Sequence, residues 1–319
     1  MSGITLKRAV DGYLLAKEAE GKSSKTIVWY RRFLVMFSAW LQSTDAGDAI
    51  TAVTADHIRG FLKHLREPHP INDGHKYKKQ FIGTSAPRTV LGAYATLSSF
   101  FNWSKNEGLI AQSPTTNMKR PKVPKTISPV FNREEVQALL SACDGASDEA
   151  TSARYKAIIM VFLDTGMRLG ELVTLDINRL NLTDSSAEIT GKGAKDRVVY
   201  LGAQAKKVLW RYITLFRPEP SGVTTRVFLN TDGTPIRPER VNRLLKEIAR
   251  RAEITNVHPH RFRHTAAVQF LRNGGNVFAL QKMLGHSTLD MVRYYVELSQ
   301  EDVKKVHKTA SPADNWGLG

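Results

Sequence analysis

The sequence predicts a mainly helical protein of the α+β class, with an N-terminal all-helical unit and a second, mixed but mainly helical unit carrying a small β hairpin. Three observations carry this. The 319 residues correspond to two domains at roughly 150 residues each. Apolar residues at Ile27, Tyr30, Leu34, Phe37 and Leu41 follow spacings of three and four, which is one buried helix face. Two short strand-like runs, Ala187–Thr190 and Arg197–Leu201, flank the glycine-rich turn Gly191-Lys-Gly-Ala-Lys-Asp196.

In the first unit, Ser23 or Ser24 caps the striped helix, and Arg31 and Arg32 lie beside the stripe, facing outward or toward a ligand. Thr54 caps a shorter helix to about Leu65. A polar, basic loop follows, with Pro68, Pro70, Asn72-Asp73-Gly74, Lys76, Lys78 and Lys79. Ser85 and Pro87 mark the start of a helix that runs to about Asn106 and stops near Gly108. Pro114, Pro121, Pro124 and Pro129, interleaved with Lys119, Arg120, Lys122 and Lys125, read as a basic linker. It either tracks a phosphate backbone or simply connects two domains.

The second unit opens with a capping-box variant, Asn132-Arg-Glu-Glu135. Helices are expected at about 133–142 and 152–164, then a break at Asp164-Thr-Gly-Met and a short helix from Arg168. After the strands, helices are expected at about 203–216, 238–252, 260–272, 276–284 and 288–295. A small hairpin is expected at Val227–Ile236 around Asp232-Gly233. The resulting division is 1–110 helical, 111–130 linker, 131–299 catalytic and 300–319 tail.

Composition excludes several classes. Apolar residues make up 42% and charged residues 24%, ordinary globular usage. The seven-residue run Ala157–Leu163 is far short of the ~20 residues a membrane helix needs. The N-terminus lacks the apolar core of a signal peptide, and a lone cysteine, Cys143, makes neither an intramolecular disulfide nor a cysteine zinc site. A cytoplasmic location is expected. Lys and Arg number 46 against 30 Asp and Glu, a net charge of +16. Residues 1–125 hold 19 basic and 9 acidic side chains, +10 of that excess. Such a balance suits a polyanionic partner, above all nucleic acid.

Four segments concentrate reactive side chains. In Asp164-Thr-Gly-Met-Arg-Leu-Gly-Glu-Leu172, Arg168 starts a helix, where a cation opposes the macrodipole. It is explained either by a bound anion or by an ion pair with Glu171. Lys192 stands between glycines at a hairpin tip, as a functional group or a solvated turn residue. In His258-Pro-His-Arg-Phe-Arg-His264, His260 and Arg263 are three apart and share a helix face, so both can address one phosphate. His260 and His264 have metal-ligand spacing, but Arg261 replaces the glutamate of an HExxH motif and neighbouring cations disfavour zinc. Finally, Leu284-Gly-His286-Ser precedes Tyr294-Tyr295. A tyrosine is a competent nucleophile for phosphoryl transfer.

Taken in order, these residues resemble the tyrosine recombinase (phage integrase) family, in spacings similar to its bacterial Xer-type members: 24 residues from Arg168 to Lys192, 23 from Arg263 to His286, nine from His286 to Tyr295. The resemblance covers about 131–300 strongly and the helical N-terminal unit more loosely, which it identifies with the family's SAM-like core-binding domain. It implies that Arg168 and Arg263 clamp the scissile phosphate, Lys192 is the general acid, His260 the acid/base histidine, His286 a phosphate support and Tyr295 the nucleophile. Spacing favours Tyr295 over Tyr294, which points ~100° away on a helix, and glycine flanks favour Lys192 over Lys195. Glu171 and His264 take supporting roles.

The resemblance further implies a 3′-phosphotyrosine intermediate and strand exchange through a Holliday junction, with no cofactor and no metal. The implied partners are double-stranded DNA with short inverted core sites, three further copies of the chain in a homotetramer, and an accessory directionality factor. The implied setting is the cytoplasm, in action at the nucleoid. The tail, with a helix at Ser299–Lys308 and an anchor at Trp316, is either a contact between protomers or a disordered end. Two alternatives share the residue set: a type IB topoisomerase-like enzyme, and a catalytically silent DNA binder of the same fold.

Overall fold

Thr5 opens the first helix, α1 (Leu6–Ala19), by accepting the Arg8 backbone N–H on its side chain at 3.3 Å. This is an N-cap that the polar composition of the N-terminus hides. α2 (Ser24–Gln42) is capped by Ser23 and buries Ile27, Phe33, Leu34, Phe37 and Leu41, so the predicted stripe holds at four of its five positions and Tyr30 lies at its margin. α3 (Ala55–His64) begins with a reciprocal capping box between Thr54 and His57. α4 (Pro87–Asn106) uses Pro87 in its first turn. The computed structural model describes residues 4–71, 80–124, 129–191, 196–285 and 311. The chain divides into two compact units, Met1–Thr126 and Ile127–Gly319.

The core of the first unit is aromatic. Tyr13, Phe33, Phe37, Phe61, Phe100 and Phe101 are all essentially inaccessible, and they meet edge to face, as in Phe37–Phe61 at 5.3 Å between ring centroids. The Tyr13 hydroxyl donates to Ser99 at 2.8 Å, which satisfies the buried polar tip. Arg31 and Arg32 are exposed. The polar loop expected after α3 instead holds a short antiparallel pair, β1 (His69–Ile71) and β2 (Phe81–Gly83). Its near end is fixed because His69 is buried and its imidazole bonds the Glu67 carbonyl and the Ser85 hydroxyl. Residues past 110 also belong to this unit's packing. Ser113 and Thr115 are buried, and the Tyr94 hydroxyl donates to the Met118 carbonyl at 3.0 Å.

The second unit is arranged around α6 (Glu149–Thr165), which is buried on nearly every face from Thr151 to Thr165, the mark of a central helix. Against it pack α8 (Ala203–Arg211) and α10 (Pro259–Arg272). α5 (Arg133–Ala142), opened by the expected Asn132–Glu135 capping box, packs on α9 (Pro238–Arg251). The short α7 (Leu169–Val173) follows α6. A three-stranded antiparallel sheet in the order β3 (Leu180–Asn181), β4 (Ser186–Thr190), β5 (Asp196–Tyr200) contains the predicted hairpin. α11 (Val277–Leu284) packs on α10 and approaches β5.

One expectation is corrected. The helix expected over 203–216 is α-helical only to Arg211 and continues as a π-turn, Tyr212–Phe216. Tyr212 there is fully buried, stacks on Phe228 and accepts the Leu229 N–H on its hydroxyl. The small hairpin expected at Val227–Ile236 is present in minimal form: the antiparallel bridge Leu229–Pro235 is flanked by Ile236 N–H to the Phe228 carbonyl at 3.1 Å and Asn230 N–H to the Thr234 carbonyl at 2.7 Å. Pro235 lacks the N–H that a fuller ladder would use. The helices expected at 288–295 and Ser299–Lys308 lie outside the described residues, as does most of the loop from Asn72 to Ile82.

Candidate active site

Two glycine-capped helix ends meet at this site. α6 ends at Gly166, in the left-handed region at φ 60°. A Cβ there would stand 2.9 Å from Leu284 Cδ2 and 3.3 Å from Ala266 Cβ. α11 likewise ends at a left-handed glycine, Gly285, at φ 63°. Gly166 lets the end of α6 approach α10 and α11 closely, and Gly285 lets the end of α11 pack against Arg197 of β5.

Arg263, on α10 and only 3% exposed, uses this convergence. Its Nη1 donates to the Gly166 carbonyl at 2.7 Å and its Nη2 to the Leu284 carbonyl at 2.8 Å. A guanidinium thereby holds the carbonyl ends of two helices, where a cation is favoured by the helix dipoles. Gly166 lies two residues before Arg168, and Leu284 two residues before His286. Arg263 is thus bonded to the chain just ahead of two other residues expected in the site.

Arg168 is the N-cap residue of α7. Glu171 accepts its backbone N–H at 2.6 Å and its Nη1 at 2.9 Å. The ion pair of Arg168 with Glu171 is thus formed, yet the Arg168 side chain remains 39% exposed while Glu171 is 4% exposed. The carboxylate orients the guanidinium without burying it. A third arginine, not singled out in the sequence, completes the group. Arg197 on β5 holds both oxygens of Glu171, at 2.7 and 2.8 Å, and donates from Nε to the Met283 carbonyl at 2.9 Å. Its signal was the alternation of β5, in which Arg197 shares the inward face with buried Val199. A charge on an inward-facing strand position needs a buried partner. Burial alone would raise the Glu171 carboxyl, but hydrogen bonds and charge from Arg197 and Arg168 hold it below its ordinary range.

α10 also carries His260, which is exposed. Its N-cap is His258, whose Nδ1 accepts the Arg261 N–H at 3.1 Å. Burial, then the Arg261 charge, lowers the His258 imidazole below its ordinary value. Arg261 is consumed structurally. It pairs with both Glu135 oxygens at 2.8 and 2.9 Å, donates to the carbonyls of Pro129, Val130 and Thr255, and stacks on Phe131 at 3.8 Å. That ties the entry of the second unit to the helix bearing His260 and Arg263. His264 is buried beside them. Among the described residues, no group of three His, Cys, Asp or Glu side chains has the arrangement of a metal site. Lys192, Lys195, His286, Tyr294 and Tyr295 lie outside the described residues.

The sequence matches the family model described as "Phage integrase family" over residues 129–302 and that described as "Phage integrase, N-terminal SAM-like domain" over residues 10–108. The chain belongs to the phage integrase family. Relatives of this integrase-family chain include the "Tyrosine recombinase XerD" of Staphylococcus saprophyticus subsp. saprophyticus, 29% identical over 309 residues, covering 95% of this chain and 98% of that one. The XerD of Staphylococcus aureus is also 29% identical, over 311 residues, covering 96% and 99%. Among solved structures, XerH site-specific recombinase bound to palindromic difH substrate matches at TM-score 0.69 and 19% identity, covering 93% of this chain and 82% of that one. A lambda integrase dimer bound to a COC′ core site matches at 0.68 and 18%, covering 90% and 97%. The Tn1549 transposon integrase in complex with a circular intermediate DNA matches at 0.72 and 15%, covering 96% and 99%. At such identities the likeness is one of fold, and it is the mainly helical, two-domain fold expected of integrases. No described helix is long and apolar enough to cross a membrane.

Proposed function

We propose that this protein is a tyrosine-type site-specific DNA recombinase that cuts and rejoins DNA through a covalent 3′-phosphotyrosine. The observation that carries this reading is the bonding of Arg263 to the carbonyls of Gly166 and Leu284. It couples three segments, distant in sequence, that begin or hold the expected phosphate ligands.

In the proposed reaction the Tyr295 oxygen attacks the scissile phosphorus in line, and the bond from phosphorus to the 5′ oxygen breaks. The tyrosyl proton passes to His260, and Lys192 protonates the departing 5′ oxygen. Arg168, already exposed, meets the charge that grows on the non-bridging oxygens with its donor fork, Arg263 joins it once DNA binding has opened the chain around it, and His286 supports the same phosphate. The phosphotyrosine conserves the bond energy, so a 5′-hydroxyl of a second strand reverses the step without a nucleotide cofactor. Arg263 is almost wholly enclosed. Its contact with phosphate therefore requires the chain around it to open when DNA binds.

The same reading extends to assembly. The first unit, with the larger charge excess, binds the core site, 111–130 connects it to a catalytic unit over 131–299, and residues 300–319 contact a neighbouring protomer. Four copies exchange strands on paired inverted sites in the cytoplasm, with a directionality factor where the outcome is biased. The test is a suicide-substrate assay in EDTA, using nicked duplexes from the DNA flanking the coding sequence. An adduct formed by wild type and by Tyr294→Phe but lost in Tyr295→Phe is the expected result. Binding of the same duplexes with no adduct from any of the three proteins would overturn the reading in favour of a silent DNA binder.

A further inference from the structure

Arg168 and Glu171 alone form a neutral pair. A carboxylate that orients a phosphate-binding arginine also cancels the charge that arginine is meant to offer. The structure supplies a remedy. Arg197, 12% exposed, grips both oxygens of Glu171 in a two-pronged contact at 2.7 and 2.8 Å. It thereby restores one positive charge to the group while leaving the more exposed Arg168 in place. The third nitrogen of the same guanidinium, Nε, donates to the Met283 carbonyl at the end of α11. A Cβ on Gly285 would lie 3.0 Å from Arg197 Cδ, so this arginine also packs against the glycine that immediately precedes His286.

We propose that Arg197 is a positioning residue for DNA cleavage: it fixes Arg168 through Glu171 and, through the Met283 carbonyl, fixes the chain end from which His286 follows. The inference rests on the recombinase reading above. One planar group spans β5, α7 and α11, three elements brought together only by tertiary folding. A lysine cannot reproduce the arrangement, because an ammonium offers no planar fork and cannot hold two carboxylate oxygens and a carbonyl in one plane. The sheet position explains why the residue is rigid enough for the task. Arg197 pairs with Ile189 in the β4–β5 register, and its side chain lies on the inward face beside Val199.

The experiment compares wild type, Arg197→Lys and Arg197→Met on a nicked duplex that wild type binds, in EDTA. It measures DNA affinity, thermal melting and the single-turnover rate of adduct formation as a function of pH. The expected result for Arg197→Met is unchanged DNA affinity with adduct formation slowed about 100-fold, the scale of a small misplacement of reacting groups. Arg197→Lys should recover part of that loss. In Arg197→Met the acid limb of the rate profile should also move to higher pH, because Glu171 loses its main cationic support. All rates are taken well below each protein's melting temperature. A rate for Arg197→Met equal to wild type, or a loss matched by the fraction unfolded with no change in profile, overturns the positioning role alone. A wild type that binds the duplex and forms no adduct overturns the recombinase reading, and the positioning role with it.

Discussion

Substituting Gly166 by alanine tests how closely the site is built. Gly166 sits at φ 60°, where an L-residue costs about 1–2 kcal/mol. The added methyl would meet Leu284 Cδ2 at 2.9 Å and Ala266 Cβ at 3.3 Å. Leu284 is fully buried, and the Ala266 methyl has no rotamer in which to retreat. Overpacking of this kind costs about 1–3 kcal/mol, so the total is about 2–5 kcal/mol. For a unit of this size that is a fall of roughly 4–20 °C in melting temperature. The same methyl pushes on the residue whose carbonyl Arg263 holds, so adduct formation should fall even where the protein is folded. The assay is thermal melting beside single-turnover cleavage. Gly170→Ala is the control, since a Cβ there meets nothing within 4 Å. Equal melting temperatures and equal cleavage rates for the two variants would refute the argument that Gly166 sets the approach of α6, α10 and α11.

Other outcomes follow from the α10 N-terminus. The His258 imidazole accepts an N–H on Nδ1 and titrates below its ordinary value. Its cap contribution is therefore complete above about pH 6.5 and is lost as pH falls through the lowered folded value. His258→Asn, which can cap without titrating, should flatten the fall of melting temperature on acidification, and an identical fall in both proteins would count against the cap. Arg261→Met removes the cation from half-buried Glu135 and the donor from three carbonyls, a loss of charge-assisted bonds that costs roughly 1.5–3 kcal/mol. Denaturant unfolding should show that loss confined to the second unit, and a midpoint unchanged from wild type would contradict it.

Local signals were the legible ones. The stripe of α2, the Thr54 cap and the Asn132–Glu135 capping box each lie within one or two turns of chain, and each is present in the fold. α1 carries buried positions at Leu6, Ala9, Val10, Tyr13 and Leu14, but interleaved charges mask the stripe. The π-turn at Tyr212 was not readable, because its cause is a ring on a distant segment, Phe228. The site divides the same way. The pairing of Arg168 with Glu171 is local and was legible as an alternative, whereas Arg197 finds Glu171 across 26 positions and Arg263 finds Gly166 across 97. Spacing along the chain points to Arg168 and Arg263 but not to Arg197. Only folding determines which of them bond one another.

The end of α11 has a mechanical meaning. Arg197 and Arg263 grip two consecutive carbonyls, Met283 and Leu284, which makes Gly285 a fixed post at the rim of the arginine group. Tyr295 is ten residues further on, so its reach from that post is at most about 35 Å fully extended and about 15 Å if helical. Under the proposed mechanism, a nucleophile on so short a leash would meet the phosphate at a high effective concentration. The two arginines that hold the post would then limit how far the tyrosine strays, and hence which strands of a bound site one protomer could cut.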